Sequence, residues 1–146
     1  MTMSYCGECL CDIQPAIDDR VLTLRPVWAW AVLHAGKRLE NRSWSTSWRG
    51  WIWIHSGSAP TTDVERDVLR RSLRLLGIEM SDLDDFPRGA IVARARIADV
   101  IDNANRVVGQ GPWQSTDGYA FLLAEVQQLA VPVSARGALN LWRYRP

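Results

Sequence analysis

The segment His34–Trp44, HAGKRLENRSW, carries the single lysine of the chain, Lys37, against sixteen arginines. A sequence that writes arginine wherever else it needs a fixed cation has kept a primary amine at one place. Glu40 follows three residues on and Arg42 two further. A guanidinium stays protonated and forks onto phosphate or carboxylate, whereas an ammonium in a partly dry pocket can be tuned to act as base or nucleophile. Glu40 works against that tuning, because a nearby carboxylate stabilises the ammonium. The Lys37–Glu40 pair is therefore either a fixed hydrogen-bond clamp or a proton relay. In an extended segment residues i, i+2 and i+4 share a face, which predicts Glu40, Arg42 and Trp44 on one side. An acid, a forked cation and an aromatic plane complement a base edge, a phosphate and a stacked ring, and such stacking contributes about 1–3 kcal/mol per base.

The surrounding pattern predicts what positions these groups. Val21–Leu24 reads as a short strand closed by Pro26, which can open a helix at its first turn. Val27–Ala35 reads as that helix, with Trp28, Ala31, Val32 and Ala35 on one side and Gly36 as its stop. Lys37 then leaves a turn, and Leu39–Trp44 is extended. Gly50–His55 (GWIWIH) alternates as a strand with both faces covered, so Trp51 and Trp53 read as packing, as does Trp142. Thr62–Leu76 is the clearest helix, with Thr62 and Glu65 as a capping box and Val68, Leu69, Leu73, Leu75 and Leu76 as its apolar stripe. Strands follow at Gly89–Val100, Tyr119–Leu129, Val131–Val133 and Leu139–Tyr144, with a polar loop around Trp113. The result is a β-rich α+β domain whose five or six sheet strands curl into a barrel to remove their edges.

At 146 residues the chain suits one domain over 21–146, preceded by a tail over 1–20. The tail holds Cys6, Cys9 and Cys11. As C-x-x-C-x-C these are three candidate metal ligands without a histidine near them, so reduced thiols are the simpler reading and no cofactor is expected. Net charge is +1, too small to imply nucleic acid alone, but its blocks alternate: −3 over 1–20, +5 over 21–76, −4 over 77–133 and +3 over 134–146. Basic blocks meeting on one face would make a local positive field. No apolar run approaches a membrane span and no signal-peptide pattern opens the sequence, so a cytoplasmic protein with no membrane partner is expected.

The stretch LRPVWAWAVLHAGKRLENRSWSTSWRGWIWIHSG resembles the ASCH domain family, a branch of the PUA-like superfamily, whose motif is G-x-K-x-x-E-x-R. Lys37, Glu40 and Arg42 fall on its polar positions, and Ala35 stands where the first motif glycine would be, with Gly36 one place later. PRGAIVARARIADV is similar to the family's long central strand, and VPVSARGALNLWRY to its closing strands. The resemblance implies a PUA-like β-barrel with flanking helices and a cleft beside the motif for RNA, DNA or a modified nucleoside. On this reading Trp28 or Trp44 stacks a base, Lys37 and Arg42 hold phosphate or a carbonyl, and Glu40 orients them. Arg25, Asn41, Ser43, His55 and Arg136 are further candidates for the same cleft. The alternative is a hydrolase using Lys37 and Glu40, either a ribonuclease or an amidohydrolase on acylated cytidine. Amidohydrolases of this kind carry threonine where this chain has Glu40. The E-x-R-S-W run here is closer to the coactivator-type ASCH domains.

Overall fold

The computed structural model describes residues 10–146. Its strands are β1 (Leu10–Cys11), β2 (Arg20–Leu24), β3 (Leu39–Arg42), β4 (Gly50–Ser56), β5 (Ala90–Asp102), β6 (Tyr119–Ser134) and β7 (Leu141–Arg143). Helix α1 (Pro26–His34) lies between β2 and β3, helix α2 (Asp63–Leu76) between β4 and β5, and a single 3-10 turn spans Gly111–Trp113. One sheet runs in the order β1-β6-β5-β4-β2-β7, with β3 also pairing β6. The β2–β4 and β1–β6 pairs are parallel and the others antiparallel. Three register shifts between β5 and β6 increase the local twist and curl the sheet into a half-barrel. The expected β-rich α+β architecture is present, its sheet counting seven strands among the described residues with the two-residue β1 included.

Two of those strands depart from expectation. Residues 119–134 form one strand, not two, and carry Pro132 inside it. β1 pairs with β6 only at Gln128 and Leu129, so past Leu129 that edge of β6 has no strand among the described residues and a missing N–H is tolerated. The other addition is β1 itself, which docks Leu10–Cys11 where the sequence showed no periodic pattern.

One face of the sheet holds the main core, in which Leu22, Leu24, Ile52, Ile54, Phe121 and Leu123 pack with residues of both helices. Helix α1 is apolar around most of its girth, with Val27, Ala29, Trp30, Ala31 and Val32 buried. Such a helix needs no polar face because it lies inside the fold. Its Trp30 indole N–H donates to Ser81 O at 2.8 Å. Helix α2 has the predicted capping box between Thr62 and Glu65 and ends at Gly77, whose φ of +69° suits glycine. Its apolar stripe is shorter than expected: Leu69 and Leu73 are buried, but Leu75 and Leu76 are 78% and 41% exposed, beyond the reach of the core. A second cluster, Val21, Trp53, Ile91, Leu129 and Tyr144, covers part of the opposite face. No helix among the described residues is long and apolar enough to cross a membrane.

Candidate functional site

Helix α1 ends at His34, and Gly36, with φ +68°, turns the chain back so that Lys37 N–H donates to Ala31 O. This reversal drops the Lys37 side chain under the helix, where the residue is 4% exposed. Its ammonium donates to Leu39 O in a very short bond and to Glu40 Oε1 at 3.1 Å. The other Glu40 oxygen faces Arg42 Nε at 3.3 Å, and Arg42 Nη2 donates to Thr23 O at 2.6 Å. Glu40 is 5% exposed, so one buried carboxylate sits between two cations. Arg42 Nε itself is buried without a well-aligned acceptor, which leaves that donor unsatisfied. The compact ammonium can reach a carbonyl and a carboxylate at once, where a planar guanidinium would need a fork-shaped opening.

Above these heads lies a cleft with two lobes that share Trp28, Glu40 and Asn41 in their walls. The inner lobe, about 240 Å³, is floored by Lys37 and closed by Val68 and Ser72 of α2 and by Trp113. The outer lobe, about 490 Å³, is bordered by Arg25, Arg42 and residues 57–59. The Trp28 ring centroid lies 5.8 Å from Lys37 Nζ, so the indole faces the charged floor. Sequence reasoning missed Trp113, Val68 and Ser72, which α2 and the 3-10 turn bring in by tertiary packing. The one available signal was an isolated tryptophan in a polar loop.

The remaining candidates divide by what they touch. Asn41 is committed to holding the loop: its Nδ2 donates to Trp113 O at 2.8 Å, while its Oδ1 accepts from Asn103 Nδ2 and Ser115 N. Gly118 completes that closure, for a Cβ there would stand 2.7 Å from Arg42 O. Arg25 forks onto Glu65 at 2.7 and 2.9 Å and also donates to Pro60 O. That hydrogen bonding draws Glu65 down to about 2 and raises Arg25 further. Trp44 lines neither lobe. β3 ends at Arg42, so the expected alternation stops, and Trp44 packs edge-on against Phe121 with ring centroids 5.1 Å apart. Ser43 and Arg136 are exposed and line neither lobe.

His55 is 1% exposed and belongs to a different network. Its Nε2–H donates to Ala135 O at 2.7 Å, so Nδ1 accepts from the Thr23 hydroxyl at 3.1 Å. The Thr23 oxygen in turn accepts the Trp142 indole N–H at 2.9 Å. Burial lowers the His55 pKa, in keeping with a neutral ring that accepts on one nitrogen. Gly137 is pressed against this ring, 2.9 Å from His55 Cε1 at the position a Cβ would take. Of the cysteines, Cys6 and Cys9 lie outside the described residues, and Cys11 is described only as backbone of β1.

A motif of lysine, glutamate and arginine locked together on one turn and the short strand that follows it, under a helix and beside a curled sheet, defines a class. The ASCH domain model matches residues 22–131, and the chain belongs to the ASCH domain family, of PUA-like fold. It is similar to activating signal cointegrator 1 of Mus musculus, 26% identical over 128 residues. The same protein of Homo sapiens is 25% identical over 126 residues. Each alignment covers 84% of this chain but only 22% of the relative, so the chain spans about a fifth of those proteins' length.

Proposed function

We propose that the two-lobed cleft binds one nucleotide unit of a nucleic acid, or a modified nucleoside, with the base against Trp28 and the phosphate on Arg42. The ASCH family is associated with RNA binding. The observation that carries the reading is the convergence of the Lys37 and Arg42 heads on the Glu40 carboxylate, at 3.1 and 3.3 Å from its two oxygens, beneath a cavity walled by an indole. Two of the three ammonium donors are engaged, which leaves one N–H to aim at a base carbonyl in the inner lobe. Arg42 reaches the outer lobe with its side chain 21% exposed and with Nη1 making no hydrogen bond among the described residues, suited to a phosphate oxygen. A hydrolytic role would need Lys37 or Glu40 free to exchange protons, whereas each is held by the other and by Leu39 or Arg42.

The test is titration with single-stranded RNA and duplex DNA at two salt concentrations, comparing the parent with Lys37→Ala/Arg42→Ala. The double variant should bind at least tenfold more weakly, and the loss of a phosphate contact should flatten the salt dependence. Equal binding by parent and variant removes the cleft from the function. Incubation with RNA and acylated cytidine in the same series reads turnover directly.

A further inference from the structure

We propose a second nucleic-acid contact: the groove at the Arg20 end of β2, around Trp48 and Trp51, binds the flanking single strand of an oligonucleotide whose base occupies the cleft. This groove is about 750 Å³, larger than either lobe of the cleft. It lies at the Arg20 end of β2, whereas the cleft lies at the Leu24 end, about 13 Å away at 3.3 Å per residue. Two arginine–indole stacks form its floor. The Arg94 guanidinium sits 4.3 Å from the Trp51 ring centroid, and Arg20 sits 4.2 Å from that of Trp48. Trp51 is 39% exposed although a strand tryptophan should be covered, because the second cluster ends at Trp53 and leaves Trp51 outside it. The Trp48 indole N–H is buried without an acceptor.

Charge identifies the ligand class. Arg20, Arg49, Arg94 and Arg143 line the groove against two carboxylates, Asp18 and Asp19. Both carboxylates are already engaged, Asp18 with Arg145 and Asp19 with the Trp53 indole N–H and Ala16 N. Arg49 is turned toward Thr46 O, Trp48 O and, at 3.8 Å, Asp99. Arg20, Arg94 and Arg143 have no carboxylate partner among the described residues, and Arg94 donates only to the neutral Gln127, at 2.6 Å. Cations spaced around one exposed indole, Trp51, and one half-buried indole, Trp48, suit a chain that alternates phosphates with unpaired bases: the phosphates take the guanidinium groups and a base displaces Arg94 from Trp51. A duplex offers no free base face, and an acidic peptide uses the arginines but not the ring.

Fluorescence anisotropy of labelled 12-mers, oligouridylate and oligothymidylate, on the whole chain at several salt concentrations tests the groove. Trp51→Ala and Arg143→Glu are both substitutions at the surface. Each should weaken binding about fivefold or more, and only Arg143→Glu should flatten the salt slope, by about one phosphate's share. The two oligonucleotides distinguish RNA from DNA as the source of the strand. Binding unchanged in both variants overturns the proposal. So does competition by polyglutamate as strong as by oligouridylate with no effect of Trp51→Ala, which would mark a general anion surface. Loss on Lys37→Ala/Arg42→Ala alone removes the groove and keeps the cleft, and loss on the groove variants alone does the reverse.

Discussion

Replacing Glu40 by glutamine keeps the shape of the side chain and removes the one charge that Lys37 and Arg42 share. The carboxylate has Nζ of Lys37 at 3.1 Å and Nε of Arg42 at 3.3 Å, and the side chains of Lys37 and Glu40 are only 5% and 7% exposed. With so little of either side chain exposed, water in the cleft replaces the lost anion only in part. Stripping one partner from a buried pair costs about 3–5 kcal/mol, mostly the expense of an uncompensated buried ammonium. A domain of this kind has roughly 5–15 kcal/mol in total, so Glu40→Gln should remove a fifth of its stability at the least. At about 2–4 °C per kcal/mol the melting temperature should fall by roughly 6–20 °C. Lys37→Met added to Glu40→Gln should recover most of that loss, since the buried cation goes as well. Urea unfolding followed by tryptophan fluorescence reads both variants. The reasoning fails if Glu40→Gln lies within about 1 kcal/mol of the parent, or if the double variant is as unstable as the two single losses added together.

Acid should weaken the Arg25–Glu65 fork in a defined window. Glu65 is held at about 2, below its ordinary value of 4.5, so its contribution is complete above that ordinary value and fades as the pH falls toward 2. Arg25 has a side chain 40% exposed, so solvent screening reduces the contribution to on the order of 1 kcal/mol. The gap in urea midpoint between the parent and Glu65→Gln should shrink from pH 6 to pH 3, and a constant gap would refute the linkage. Gly118→Ala should cost about 2–4 kcal/mol, from a Cβ 2.7 Å from Arg42 O and a φ of +69°. A melting temperature within a degree of the parent's would show that the loop approaches β3 less tightly.

Local chemistry was the legible part. The capping box of α2 and the glycine at its end are decided within a few residues, and the structure has both. The polar heads of the motif come from neighbouring positions on one turn and one short strand, so their proximity was also readable from spacing. What failed depended on partners far along the chain. Trp44 was placed by continuing an alternation that the strand does not continue, because β3 pairs β6 only from Leu39 to Arg42. Trp51 read as covered because GWIWIH looks the same whether one or both sheet faces are packed. The 119–129 and 131–133 strands read as two, broken at Ala130, whereas β5 pairs along both and joins them into one. The roof of the inner lobe comes from α2 and the 103–118 loop, and no spacing rule joins those segments to Lys37.

Thr23 carries a consequence for anyone handling the domain as a fragment. Its carbonyl seats the motif arginine, while its hydroxyl is fixed by a ring from β4 and an indole from β7. The family-matched span, 22–131, retains every motif residue yet omits Ala135, Gly137 and Trp142. A clone trimmed to that span would keep the signature while taking away the backing of its arginine. Its silence in a binding assay would then report on where the cut was made rather than on the motif.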